Sequence, residues 1–371
     1  MNIGVPVETV HGETRVAVTP ETVKKFLALG HQVHVESGAG IHASITDEAY
    51  QAAGAQITDT QGAFAQELVL KVRSPNEQET SKMKPNTVLV GMLNPFDAQG
   101  LERLAGAQLC SFALEAAPRT TRAQSMDVLS SQANIAGYKA VMMAADRYQR
   151  FFPMLMTAAG TVKAARVVIL GVGVAGLQAI ATAKRLGAVI ECSDVRPSVK
   201  EQVESLGAKF IDVPYETAEE REAAEGVGGY ARPMPASWLD RQKIEVAKRV
   251  ALADVVITTA LIPGRAAPVL VTPEMVQSMK PGSVIVDLAA AQGGNCPLTE
   301  ADKIVQKHGV TLIGETNMPA LVAADASALY ARNVLDFVKL ISAEKGAFHM
   351  PEGDDIVNAC LMTQDGQVKR K

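Results

Sequence analysis

Aromatic side chains are scarce in this chain of 371 residues: one tryptophan, six tyrosines and nine phenylalanines make up 4% of it. With 47% hydrophobic residues overall, alanine, valine and leucine are left to build the cores, an ordinary α/β composition. The four cysteines, Cys110, Cys192, Cys296 and Cys360, are far apart and form no C-x-x-C pair. This excludes a zinc ribbon or a disulfide framework and predicts reduced, buried thiols in a cytosolic protein. The six histidines show no ligand spacing, and His31 and His34 flank an alternating strand, so no metal site is expected. No run reaches the ~18 to 20 uninterrupted apolar residues that cross a bilayer, and the N-terminus lacks a signal-peptide pattern. Charge of one sign is also missing. A net charge of −4 gives no reason to expect nucleic acid or an anionic membrane as partner, and the Lys369-Arg370-Lys371 tail reads as a solvated end. The length exceeds what a single core usually serves, so two domains are expected.

Short apolar strands alternate with helical patterns from the start: Ile3 to Val5, a helix from Pro20 to Leu29, Val33 to Val35, a helix from Asp47 to Ala53, Leu68 to Val72, Thr87 to Leu93 and Gln108 to Phe112. That alternation predicts parallel βαβ units. A helical pattern from about Gln124 to Arg150 is long enough to run between domains. Further strands are expected at Lys209 to Asp212, Val255 to Thr259, Ser283 to Asp287 and Val310 to Ile313, and a helix after Pro319 returns the chain to the first domain. The fold class is therefore α/β, with two Rossmann-like domains of parallel, doubly wound sheet joined by long helices. The first takes residues 1–135 plus 325–371 and the second residues 136–324. Residues Ile356 to Met362 and Gln367 to Lys369 around Asp365-Gly366 resemble a hairpin, either a dimer arm or an edge ribbon. The acidic run Glu216 to Glu225 reads as a solvated loop, and the glycines that follow it, ending Gly229-Tyr230, as a flap able to close over a ligand.

The densest signal is Val167-Val168-Ile169-Leu170-Gly171-Val172-Gly173-Val174-Ala175-Gly176-Leu177. An apolar strand runs into a G-x-G-x-x-G turn and a helix, and the next strand (Val189, Ile190) ends in Asp194 about 20 residues on. Gly171 permits the tight turn, Gly173 lets backbone approach a pyrophosphate, and Gly176 lets the helix pack on the strand. The pyrophosphate is assigned to Val172 through Val174 at the helix N-terminus, where free N–H groups and the helix dipole favour anions. The adenosine ribose is assigned to Asp194 and its neighbour Val195. A carboxylate there accepts from ribose hydroxyls and repels a 2′-phosphate, so the expected ligand is NAD(H) and not NADP(H), with Arg196 the one residue pointing the other way.

Together with this turn, the run RTTRAQSMDVLSSQANIAGY from Arg119 to Tyr138, Thr258-Thr259-Ala260-Leu261-Ile262-Pro263-Gly264 and Gly293-Gly294-Asn295-Cys296 resemble the NAD(H)-binding domain I of proton-translocating nicotinamide nucleotide transhydrogenases. The likeness spans nearly the whole chain. The family is also similar to alanine dehydrogenase, sharing the opening pattern of Gly4, Pro6, Glu8, Glu13, Arg15, Val16 and Ala17. Alanine dehydrogenase must move protons as well as hydride. Its substrate-holding arginine and lysine match Arg15 and Lys71, but its histidine falls in Gly91-Met92-Leu93-Asn94-Pro95-Phe96 and its aspartate on Ala291. With both proton handlers absent, Arg15 and Lys71 read as structural ion-pair residues.

What the resemblance implies is direct hydride transfer from bound NADH to NADP+ on a partner domain. Arg119, Gln124, Asp127 and Ser130 would serve the nicotinamide end, Leu261 the adenine edge and Tyr230 the lid. It also implies a homodimer, an NADP(H)-binding domain of a beta subunit and membrane-spanning subunits that carry the proton. The chain would then sit in the cytoplasm, peripheral on the inner membrane through those partners. An alanine-dehydrogenase-like oxidoreductase and a non-catalytic NAD(H) sensor remain the alternatives.

Overall fold

The computed structural model describes residues 1–225 and 234–370, and the strands are β1 (Asn2–Val5), β2 (Gln32–Glu36), β3 (Gln56–Thr58), β4 (Leu68–Arg73), β5 (Val88–Met92), β6 (Cys110–Ala113), β7 (Leu155–Thr157), β8 (Gly160–Val162), β9 (Arg166–Leu170), β10 (Val189–Ser193), β11 (Lys209–Phe210), β12 (Val255–Thr258), β13 (Val284–Asp287), β14 (Ile304–Lys307), β15 (Val310–Ile313), β16 (Leu361–Gln364) and β17 (Gln367–Val368). The chain divides into two compact units. One holds Met1–Gln132 with Pro319–Lys371, the other Ala133–Met318.

In the first unit the strand order is β17-β16-β6-β5-β4-β1-β2-β3, parallel from β3 to β6, with β16 antiparallel to β6 at the edge. Its centre, β3-β2-β1-β4-β5-β6, is the 3-2-1-4-5-6 order of a doubly wound sheet. Apolar cores cover both faces, which is why β4 and β5 are buried nearly throughout. The second unit has the order β11-β10-β9-β12-β13-β15-β14, with β14 alone antiparallel. It too has a core on each face, and both sheets reverse strand order at one point, beside β1 and β4 in the first unit and beside β9 and β12 in the second.

Several expectations need correcting. The C-terminal segment is not a hairpin from Ile356. Asp354 accepts the N–H groups of Ile356 and Val357 and starts a helix, Asp355–Cys360, before the Asp365-Gly366 turn joins β16 to β17. Nor is that hairpin a free arm: Thr363 is buried, its hydroxyl 2.6 Å from Ser111 Oγ and donating to the Leu109 carbonyl at 2.8 Å. The acidic run is the helix Ala218–Glu225, not a loop, because Glu220 is buried and takes hydrogen bonds from Arg241 and Ser237. The glycines after it, with Gly229 and Tyr230, lie outside the described residues. The ribbon β7–β8, the edge strand β14 and the helices Ala98–Gly106 and Ala236–Val250 carry no expectation from the sequence.

The division between units falls inside the helix Val128–Arg147. Within the second unit, that helix crosses the glycine-turn helix at Gly137, where an added Cβ would lie 2.1 Å from the Ala175 carbonyl oxygen. Gly137→Ala should therefore lose about 1–2 kcal/mol net, because backbone overpacking outweighs the ~1 kcal/mol gain in helix propensity. Denaturant unfolding followed on the second unit checks this, and an unchanged or higher midpoint would refute the tight crossing.

Candidate dinucleotide site

The glycine turn sits at the carboxyl end of β9, at the switch point of the second sheet. Gly171 has φ +95°, a left-handed conformation that favours glycine, and its N–H donates to the Ser193 carbonyl of β10. A Cβ on Gly171 would lie 2.6 Å from Thr259 Oγ1, whose hydroxyl donates to the Gly171 carbonyl at 2.8 Å. A Cβ on Gly176 would stand 2.1 Å from that same carbonyl oxygen. Gly173 differs. A Cβ there would meet nothing within 4 Å, so the protein itself gives no steric reason for a glycine. Gly173 is also the N-cap of the helix Val174–Arg185 and supplies no side chain to cap it, which leaves the first amides of that helix for a ligand. The open space and the amides fit a pyrophosphate.

Val172 is committed elsewhere. Its N–H donates to Asp194 at 2.7 Å, and Asp194 is also held by Arg196. Tyr215 lies close by, its phenol raised above the usual range by burial and by the charges of Asp194 and Asp212. On the other side of the turn, Leu261 and Ile262 are exposed on a loop after β12. Asn295 fixes that loop, donating from Nδ2 to the carbonyls of Ala260 (2.9 Å) and Pro268 (2.8 Å) and accepting from the Ala260 N–H. Asp287, fully buried at the end of β13, in turn accepts from the N–H groups of Ala289, Asn295 and Cys296 and from the hydroxyls of Thr258 and Thr299. Among the described residues no His, Cys, Asp and Glu cluster could hold a metal ion.

In the first unit, Arg119 and Gln124 are exposed on the loop that precedes the helix Val128–Arg147, with Asp127 and Ser130 half-buried at the helix start. Asp127 accepts from the Ser130 N–H (2.9 Å) and hydroxyl (2.6 Å), so this pair caps the helix. Two anchors absent from the sequence-based expectations hold the loop. Asn333 donates to the Ser125 carbonyl at 2.7 Å and accepts from Ser131, and Arg122 pairs with Asp354 and Asp355. Asp354 stands directly before a helical pattern and could have been found as a cap; Asn333 depends on a contact across more than 200 residues.

The switch point of the first unit is filled by the chain's own charges. Lys71 Nζ lies 3.2 Å from both Glu8 and Glu79, and all three side chains are buried. Arg15 makes a two-pronged pair with Glu13 (2.6 and 2.7 Å) and donates to Gln132, while Arg73 also reaches Glu13 at 2.9 Å. Three carboxylates thus face three cations, as the structural reading of Arg15 and Lys71 expects. Nearby, Asn94 has φ +54° and its segment is clipped by Glu115, which accepts the N–H groups of Leu93 (3.2 Å) and Asn94 (2.8 Å).

The sequence profile described as "Alanine dehydrogenase/PNT, N-terminal domain" matches residues 4–136, and the one described as "Alanine dehydrogenase/PNT, C-terminal domain" matches residues 140–371. The chain belongs to the alanine dehydrogenase/PNT family. Within the family, an NAD(P) transhydrogenase subunit alpha polypeptide of Rhodospirillum rubrum is 50% identical over 377 residues, covering 99% of this chain and 97% of that relative. A crystal structure of transhydrogenase from Sinorhizobium meliloti matches with a TM-score of 0.86 at 44% identity, over 99% of this chain and 98% of the other. A solved L-alanine dehydrogenase matches with a TM-score of 0.80 at 28% identity, over 99% and 96%. Where the alanine dehydrogenase likeness expects proton handlers, this family member has the segment Gly91 to Phe96, which contains no histidine and is clipped at Leu93 and Asn94 by Glu115, and Ala291, exposed in the short turn Ala290–Gln292.

Burial raises the Glu115 carboxyl to about 7, outweighing the backbone N–H donors of Glu115 itself, Asn94 and Leu93 and the Arg73 charge that favour its ionised form. Its folded pKa exceeds its unfolded one, so between the two values the folded state keeps a proton that the unfolded chain has lost. The stabilising contribution is therefore present below the unfolded pKa and disappears as pH rises through about 7. Glu115→Gln should flatten this part of the profile, so that melting temperature falls less between about pH 5 and about pH 8 than in the parent protein. Parallel profiles in calorimetry would rule it out.

Proposed function

We propose that this chain is the NAD(H)-binding component of a proton-translocating NAD(P) transhydrogenase. The observation that carries the proposal is the 50% identity to a transhydrogenase subunit alpha polypeptide, end to end on both chains. The geometry supports it: one switch point carries an open glycine turn with uncapped helix amides, and at the other Arg15 and Lys71 are already paired with buried carboxylates of the chain itself.

The reaction is NADH + NADP+ giving NAD+ + NADPH. A hydride leaves C4 of the dihydronicotinamide with its electron pair and joins C4 of the acceptor ring, so no proton is transferred at the reacting carbons. The requirement is proximity: rings ~3 to 3.5 Å apart with water excluded. This chain holds NAD(H), with the pyrophosphate on Gly173 and Val174, the adenosine ribose at Asp194 and Val195, and the adenine edge at Leu261. Gln124 bonds the nicotinamide carboxamide or its ribose. Asp127 and Ser130 set the start of the helix behind it, and Arg119 responds to redox state; Gly229 and Tyr230 serve as a lid. The acceptor is bound by an NADP(H)-binding domain of a beta subunit. Proton translocation belongs to membrane-spanning subunits that hold this chain on the cytoplasmic face. No helix among the described residues is long and apolar enough to cross a membrane.

The chain also forms a homodimer through the ribbon β7–β8. Every residue of β7 is exposed, Met154 and Met156 project at 59% and 72% exposure, and a two-stranded ribbon lacks the cover to be stable alone.

The deciding assay is hydride transfer between NADPH and an NAD+ analogue, with and without an NADP(H)-binding transhydrogenase domain. Turnover should appear only with the partner, and L-alanine with NAD+ should give none. Alanine-dependent NAD+ reduction would establish the amino-acid dehydrogenase alternative, and NADH binding without transfer in the partner's presence would establish a sensor. Gln124→Asn should cut transfer roughly tenfold or more while NADH affinity stays within about threefold; lost affinity at unchanged turnover contradicts its role. Sedimentation should give twice the 39.2 kDa of one chain, and Met156→Asp should bring it to the single-chain mass. A monomeric parent protein refutes the dimer.

A further inference from the structure

Asp194 and Arg196 close on each other and on one peptide of the glycine turn. Asp194 Oδ1 accepts the backbone N–H and the Nε of Arg196, both at 2.9 Å. Oδ2 accepts Arg196 Nη2 at 2.9 Å and the Val172 N–H at 2.7 Å. Arg196 Nη2 also donates to the Val172 carbonyl at 3.2 Å, so the pair grips both polar groups of that residue. The contact is a charge-assisted, two-pronged pair, the arrangement a guanidinium makes with a carboxylate or a phosphate alike. The Asp194 side chain is 7% exposed and that of Arg196 24%.

A carboxylate at this position of a dinucleotide fold selects a ribose 2′-hydroxyl, and an arginine nearby accommodates a 2′-phosphate. This loop carries both, face to face. We infer that Arg196 is a second specificity-determining residue of the nucleotide site, a 2′-phosphate-binding group held in check by Asp194. The inference rests on the assignment of NAD(H) to this turn. Two opposite consequences follow from the charges. Without the Asp194 charge, the guanidinium is released to a 2′-phosphate; without Arg196, the carboxylate is bared and repels that phosphate more strongly. A purely structural role, gripping Val172, would weaken both nucleotides together.

The test is the ratio of NADPH to NADH dissociation constants on the full chain at fixed ionic strength, read from nucleotide fluorescence. Asp194→Asn should shift the ratio toward NADPH by about tenfold, and Arg196→Gln should move it about threefold the other way. Combining the two should remove the NADPH gain. An unchanged ratio in Arg196→Gln, or an NADPH gain that survives in the double variant, overturns the inference. If Asp194→Asn fails to fold by circular dichroism, the Arg196→Gln ratio decides alone. A parent protein that binds NADH while Asp194→Asn gains nothing for NADPH sinks only the role of Arg196. A parent protein that binds neither nucleotide sinks the NAD(H) assignment, and this inference with it.

Discussion

The second unit depends on how closely Gly176 lies over Gly171. The 2.1 Å that a Cβ at 176 would leave to the Gly171 carbonyl oxygen means that only a glycine lets the helix Val174–Arg185 begin so near the end of β9. That approach brings the helix N-terminus to the point where the sheet reverses direction, and Thr259 from β12's loop locks it by bonding the same carbonyl. The crossing at Gly137 repeats the constraint one turn away, backbone against backbone at Ala175. With no side chains as spacers, the amide-rich start of the helix cannot drift from the strands that carry Asp194 and Leu261.

The two units share a strand order and put their switch points to opposite uses. In the second, Gly173 stands in open space and leaves the first helix amides without a side-chain cap. In the first, Glu8, Glu13, Arg15, Lys71, Arg73 and Glu79 fill the corresponding place and neutralise one another. Buried charges of this kind tolerate no missing partner, because a lone charge in a poorly solvated site costs several kcal/mol. In the same unit the loop that carries Arg119 and Gln124 is exposed and anchored by Arg122 and Asn333.

Much of this was legible in advance where local physics governs. Apolar runs located the parallel strands covered on both faces but missed β3, whose three residues are at most half-buried, and the glycine spacing located the turn because left-handed φ and close approach admit few other residues. Expectation failed where a distant partner decides. Glu216 to Glu225 looked solvated by composition, yet Glu220 is buried once Arg241, on another helix, reaches it. Ile356 to Cys360 reads as part of a hairpin with the segment after it, but its apolar residues have helical spacing and the cap at Asp354 makes it a helix. The Val172 N–H donates to Asp194 from the neighbouring strand's loop, a contact that the glycine spacing does not reveal.

By itself, the sequence determined the fold class, the place of the glycine turn and the family likeness, since these rest on short-range spacing of glycines, acids and apolar residues along the chain. Tertiary structure alone decided which charges are spent. That Lys71 is paired with Glu8 and Glu79, that Glu115 clips Asn94 and is pushed toward neutrality by burial, and that Arg196 and Asp194 together grip Val172 all depend on desolvation and on contacts between segments apart in the chain. An ionisable residue's chemistry is set by the dielectric and the partners around it, and neither is written in its neighbours along the sequence.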